Sequence, residues 1–132
     1  MLTKPIQIAL VDDHRLFRSG IAALIDSFGG YNILFEAAHG QELIRSIDSG
    51  LVPDIILLDI NMPGMGGIEM LRKLSVKQMI KPVVIMLTNN TFAGYRDECM
   101  RLGADYFLDK SRDFLMIPSI VEKVQERNFL QF

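Results

Sequence analysis

The chain of 132 residues carries a single cysteine, no tryptophan, two histidines and five prolines. One cysteine, Cys99, excludes an internal disulfide and a thiolate zinc cluster. It falls in a helical pattern, where a small buried hydrophobe is expected rather than a reactive thiol. His14 and His39 are too few for most histidine-based metal sites. No apolar run approaches a membrane span, and the N-terminus lacks the long apolar stretch of a secretory signal, so a cytoplasmic protein is expected. No Gly-x-Gly-x-x-Gly follows the first strand-like run, and no Gly-x-x-x-x-Gly-Lys-Ser/Thr occurs, which argues against dinucleotide and P-loop sites. A net charge of -2 argues against non-specific affinity for a polyanion. Neither nucleic acid nor membrane is expected as a partner of this domain.

What the chain does have is an ordinary soluble balance, 49% hydrophobic and 23% charged, and length for one domain. One stretch organises it. Ile55-Ile56-Leu57-Leu58 is continuous, apolar and rich in β-branched residues, the pattern of a strand buried on both faces. Asp59 ends it. Ile60, Asn61, Met62, Pro63 and a run of glycines at 64, 66 and 67 then form a loop that a helix must end. In open α/β sheets, reactive groups sit at the carboxyl ends of the strands. Opening a turn is the bland alternative for an Asp in this place.

The rest of the chain repeats that rhythm. After a polar lead-in from Met1 to Gln7, the run Ile8 to Val11 reads as a strand ending in Asp12 and Asp13. His14 to Phe28 has apolar residues at helical spacing, Leu16, Phe17, Ile21, Leu24, Ile25 and Phe28, with Asp13 placed to cap it and Gly29-Gly30 to stop it. Tyr31 to Ala38 is a less apolar strand, nearer an edge. Helices follow from about Gln41 to Asp48 and from about Gly67 to Val76. Val83 to Leu87 is a buried strand ending in Thr88. A helix runs from about Phe92 to Leu102, and Asp105 to Leu108 is the last strand, followed by Lys110. Arg112 or Asp113 opens the final helix, with Pro118 in its first turns. Strand and helix alternate five times, which predicts βαβ units and a parallel sheet covered on both faces.

Four of the five strands deliver reactive groups at their ends: Asp12 and Asp13, Asp59, Thr88, and Lys110. Three carboxylates brought together repel unless a cation offsets them. Oxygen ligands suit Mg²⁺, with Mn²⁺ able to replace it. A lysine ammonium and a threonine hydroxyl supply donors to phosphoryl oxygens. Together these groups suit transfer of a phosphoryl group onto a carboxylate, with Asp59 as nucleophile.

In this order the motifs resemble the receiver domain of bacterial two-component response regulators. Val11-Asp12-Asp13-His14 resembles the acidic opening, Leu57 to Gly67 the phosphoacceptor motif, Thr88 the switch threonine and Lys110 the family's lysine. Gly103-Ala104-Asp105 is also family-like. The resemblance covers about Ile6 to Glu126 and implies one receiver domain over 1–132 with a core of about 6–127. It implies a flavodoxin-like doubly wound (βα)5 fold, with a five-stranded parallel sheet of order 2-1-3-4-5. It further implies a sensor histidine kinase or phosphotransfer protein as donor. Mg²⁺ would be held by Asp12, Asp13, Asp59 and the main-chain carbonyl of Asn61. Thr88 and Phe107 would be the switch pair, and the face of helix 4, strand 5 and helix 5 would engage partners or a second copy.

The stretch Val11 to Gly20 is most similar to receivers coupled to helix-turn-helix effectors of the LuxR/NarL type, which implies transcription regulation through a separate effector domain. Ser111 stands where many receivers have Pro, and Asn89 where a small residue is usual. Asn61 and Asn90 match positions that tune dephosphorylation; with Asn89 they are expected to give a lifetime of minutes or longer. Phe107 lacks a hydroxyl, so apolar packing should favour its inward position. His14 reads as first-turn surface rather than a metal ligand. Two other readings stand beside this one. A degenerate or stand-alone receiver would act by protein contact alone. A Mg²⁺-dependent phosphatase would need a cap and a second acid that this chain does not offer.

Overall fold

The computed structural model describes residues 5–29, 31–62, 64–77, 81–89 and 93–129, apart from the side chains at 93, 128 and 129. Gly30, Pro63, Asn90 and Phe92, which carry expectations above, lie outside the described residues. The elements run β1 (Ile6–Val11), α1 (Arg15–Asp26), β2 (Tyr31–Ala37), α2 (Gly40–Asp48), β3 (Ile55–Asp59), α3 (Gly67–Ser75), β4 (Val83–Thr88), α4 (Ala93–Arg101), β5 (Tyr106–Asp109) and α5 (Ile117–Phe129). The strands form one parallel sheet in the order β2-β1-β3-β4-β5. This is the doubly wound, flavodoxin-like arrangement expected from the alternation.

The strand period of two divides the core into two layers. Ile8, Leu10, Ile55, Leu57, Ile85 and Leu87 point to the face covered by α1 and α5, where they meet Ile21, Ile25, Ile117, Ile120 and Val124. Ala9, Val11, Ile56, Leu58, Val84 and Met86 point to the opposite face and meet Leu43, Met70, Leu71 and Cys99 from α2, α3 and α4. β3 sits at the centre and is buried along its whole length. Each of its apolar side chains contributes about 1.5–3 kcal/mol by leaving water. That burial fixes the height at which Asp59 emerges. β2 lies at an edge, which matches its weaker apolar pattern.

Several boundaries differ from the sequence reading. Ile6 and Gln7 belong to β1: Asp54 Oδ2 accepts from the Gln7 N–H at 2.8 Å, and Gln7 O accepts from the Asp54 N–H at 2.7 Å. His14, not Asp13, is the N-cap residue of α1, and its side chain makes no capping bond. Leu16 is 88% exposed rather than inward. The helical period selects Phe17, Ile21 and Ile25 for the core, and Leu16 is one position out of phase. The last helix is preceded by a 3-10 turn, Phe114–Met116, so α5 starts at Ile117 rather than at Arg112 or Asp113. Pro118 consequently falls in the first turn of α5, where its missing N–H costs nothing.

Candidate functional site

Three strand ends and one turn converge above the carboxyl edge of the sheet. Asp12 follows β1 and is 3% exposed. Its backbone N–H donates to Ala37 O at 3.0 Å. Its Oδ1 accepts the His14 N–H at 2.7 Å, and its carbonyl accepts from Arg18 Nη1 at 2.5 Å. Arg18 is held in turn by Glu36 at 3.2 Å. Asp59 ends β3 and is 2% exposed, and its Oδ1 accepts the Asn61 N–H at 3.2 Å. Thr88 ends β4 and is fully buried. Its carbonyl accepts the Lys110 N–H at 2.9 Å, which places the lysine beside the threonine.

Lys110 is the buried counter-charge. Its Nζ stands 2.5 Å from Asp12 Oδ2 and 3.3 Å from Asp59 Oδ2. The same ammonium lies over the Phe17 ring, 4.7 Å from its centroid, a cation–π contact. The turn that carries it is tied by Asp109, whose Oδ1 accepts from the Ser111 N–H at 2.8 Å and the Ser111 hydroxyl at 2.7 Å. A proline at 111 has no N–H, so it would forgo the first of these bonds. These contacts hold the Asp109 carboxyl below its usual pKa, the Ser111 bonds being the chief cause.

Asp59 behaves in the opposite sense. Burial pushes its pKa up to about 6, and the neighbouring Asp12 carboxylate adds to the rise. Lys110 and the Asn61 N–H pull the other way without cancelling it. Three carboxylates face one ammonium, so the site is short of positive charge. Asp12 Oδ2 and Asp59 Oδ2 share the single Lys110 ammonium, and Asp13 Oδ1 is buried without a hydrogen-bond partner among the described residues. Ligand atoms of Asp12, Asp13, His14 and Asp59 all lie within 4.8 Å of one another. Undercharged, under-bonded oxygens at this spacing fit a divalent cation.

The sequence-derived residues Asp12, Asp13, Asp59, Thr88 and Lys110 are therefore brought to one edge. Asn61 is exposed beside them and touches Asp59 through its N–H. Asn89 is exposed and lines a shallow depression with His14, Phe17, Lys110 and Ser111. Phe107 is half-buried and packs on the α2/α3/α4 core. His14 has a larger part than the sequence suggested. Its ring is exposed as expected, yet Nδ1 stands 3.3 Å from Lys110 Nζ, 3.6 Å from Asp12 Oδ1 and 3.9 Å from Asp13 Oδ1. Its adjacency to the acidic pair was the only signal available.

Comparison with known proteins agrees with this geometry. The response regulator receiver domain model matches residues 8–122, and the chain belongs to that family. Fold and site together define a phosphoaccepting receiver domain. It is closely related to the LuxR/NarL regulators. It is 35% identical over 113 residues to the nitrate/nitrite response regulator NarL of Escherichia coli K12, covering 83% of this chain and 50% of that one. It is 32% identical over 138 residues to the transcriptional regulatory protein YdfI of Bacillus subtilis, covering 93% and 63%. A LuxR-family response regulator from Aurantimonas superposes with a TM-score of 0.82 at 29% identity, covering 92% of this chain and 86% of that one. The chain spans about half the length of NarL and UvrY among its curated relatives. No helix among the described residues is long and apolar enough to cross a membrane.

Proposed function

We propose that Asp59 is the phosphoacceptor, in a single receiver domain over 1–132, and that phosphorylation there switches a transcription regulator. The carrying observation is that Asp59, the most buried carboxylate, lies 3.3 Å from Lys110 Nζ and shares a cluster of cation ligands. The donor is a phosphohistidine on a sensor histidine kinase or phosphotransfer protein. An Asp59 oxygen attacks phosphorus, the P–N bond breaks, and its electron pair leaves with the imidazole, which takes up a proton. Asp12, Asp13, Asp59 and the Asn61 carbonyl would hold Mg²⁺, or Mn²⁺ in its place, and the ion would supply positive charge against the carboxylates and the phosphoryl group. Lys110 adds a mobile positive charge, and Thr88 supplies a hydroxyl donor.

Phosphorylation brings added negative charge to a packed site, and the state that pairs this charge best gains population. Thr88 and Phe107 would report it; their positions on adjacent strands, where Met86 pairs with Phe107 and Thr88 with Asp109, support this reading. The output surface is α4, β5 and α5, through a second copy or a partner. The exposed amides Asn61 and Asn89, with Asn90, offer no base to an attacking water, which supports a phosphorylated lifetime of minutes or longer. A cytoplasmic location and an effector outside these 132 residues complete the proposal. Likeness to a protein named a transcriptional regulatory protein supports the latter.

The test is phosphotransfer from a phosphorylated histidine kinase of a NarL-type system, followed on a gel. Label moving to the wild-type chain in Mg²⁺, and not in EDTA or with Asp59→Asn, supports the proposal. Label moving equally to Asp59→Asn refutes the assignment of the acceptor.

A further inference from the structure

We infer that His14 is a ligand to the divalent cation of this site and gives it a preference for nitrogen-seeking ions, Co²⁺ and Zn²⁺ above all, over Mg²⁺. The inference rests on the reading of the site as a cation centre and adds a donor and a selectivity to it.

Three observations meet at the imidazole. First, Nδ1 stands 3.3 Å from Lys110 Nζ. An ammonium only donates, so the nitrogen that faces it bears the lone pair and the hydrogen sits on Nε2. The lone pair is therefore turned inward. Second, the same nitrogen lies 3.6 Å from Asp12 Oδ1 and 3.9 Å from Asp13 Oδ1, and all four donor residues fall within a 4.8 Å span. Third, Asp12 and Asp59 are more than nine-tenths buried, and the Oδ2 of each turns into that span, where it meets the Lys110 ammonium. Lys110 Nζ already lies where Asp12, Asp59 and His14 converge, which marks a point that binds positive charge.

The ring's contact with Lys110 is one that a cation would replace. The ring is 61% exposed, and although His14 is the N-cap of α1 its side chain makes no capping bond. Its backbone is fixed by the bond from its N–H to Asp12 Oδ1, so the ring is held at the mouth of the cluster without filling the core. An oxygen set alone suits Mg²⁺, which gains little from an imidazole. Co²⁺ and Zn²⁺ bind imidazole well and stand above Mn²⁺ in affinity for mixed nitrogen and oxygen sites. One inward imidazole therefore raises their affinity and leaves that of Mg²⁺ nearly unchanged.

The experiment is calorimetric titration of the 132-residue chain with Mg²⁺, Mn²⁺ and Co²⁺, for wild type, His14→Ala, His14→Asn and the control His39→Ala. His14→Ala should weaken Co²⁺ by about tenfold or more and leave Mg²⁺ within about twofold. His39→Ala should change neither. The Co²⁺-loaded wild type should also show a hyperfine-shifted imidazole NH resonance that His14→Ala lacks. Because the ring is exposed and caps nothing, both His14 variants should melt like the wild type. Equal or parallel changes for Co²⁺ and Mg²⁺ in His14→Ala overturn the ligand assignment alone. A wild-type chain that binds none of the three ions overturns the cation-centre reading with it.

Discussion

Lys110 leans on Asp12: its Nζ is 2.5 Å from Asp12 Oδ2 and 3.3 Å from Asp59 Oδ2. The lysine thus occupies a place at the cluster that a cation would contest. In Lys110→Met the carboxylates lose their only buried ammonium among the described residues, and such an unpaired buried charge costs about 3–5 kcal/mol. We expect urea unfolding without divalent cation to show that loss. With saturating Mg²⁺ the deficit should shrink, and the variant should bind Mg²⁺ more tightly than the wild type, because Asp12 is no longer occupied. Unchanged stability in EDTA would contradict the pairing.

Asp59 sets a pH dependence of stability. Its pKa is about 6 in the fold and near 3.8 in the unfolded chain. The folded state therefore binds the proton more tightly, and ionisation opposes folding. Below about pH 4 both states are protonated and the penalty is absent. It grows as pH rises from about 4 to 6 and is fully present above that window, reaching at most about 3 kcal/mol. Asp59→Asn should remove the slope and be more stable than wild type at neutral pH without divalent cation. Paired urea melts at the two ends of the window check this. A variant less stable than wild type at both ends would refute it.

The approach of α3 to β3 admits no side chain at Gly67. A Cβ there would press on the backbone oxygen of Asp59 and stand 2.8 Å from Ile60 Cα. Backbone cannot rotate aside, so Gly67→Ala should destabilise by about 1–3 kcal/mol and slow phosphorylation by shifting Asp59. Gly20, within α1, has nothing within 4 Å of its Cβ position. Gly20→Ala should therefore stabilise by about 0.5–1 kcal/mol and leave phosphorylation intact. Similar thermal shifts in the two variants would contradict the close approach.

Cys99 is fully buried among the α2/α3/α4 core residues, and burial, with Glu98 beside it, pushes its thiol pKa up to about 11. A thiol that stays protonated and covered reacts slowly. Iodoacetamide at pH 8 should leave the native chain unmodified over hours and label it fully in urea. Rapid native labelling would show that α4 opens.

The parts that were legible in the sequence were those coded by continuous patterns. Ile55 to Leu58 and Val83 to Leu87 could be placed in the sheet interior because both faces of each strand are apolar. Asp59, Thr88 and Lys110 could be placed at one edge because each follows such a run. What depended on contacts across the fold was hidden. The approach of His14 to Lys110 joins residues 96 apart in the chain, and Arg18 binding the Asp12 carbonyl depends on how α1 docks. The exposure of Leu16 turns on one position of helical phase. His14 rather than Asp13 is the N-cap of α1, and the Asp12 carboxylate accepts the His14 N–H.

The most direct measurement of the central claim is intact mass after incubation with acetyl phosphate, with Mg²⁺ and with EDTA, for wild type and Asp59→Asn. The wild type with Mg²⁺ alone should gain one phosphoryl group, mapped to the peptide containing Asp59, and Asp59→Asn should gain none. A phosphoryl group gained equally by Asp59→Asn, or by the wild type in EDTA, would contradict it.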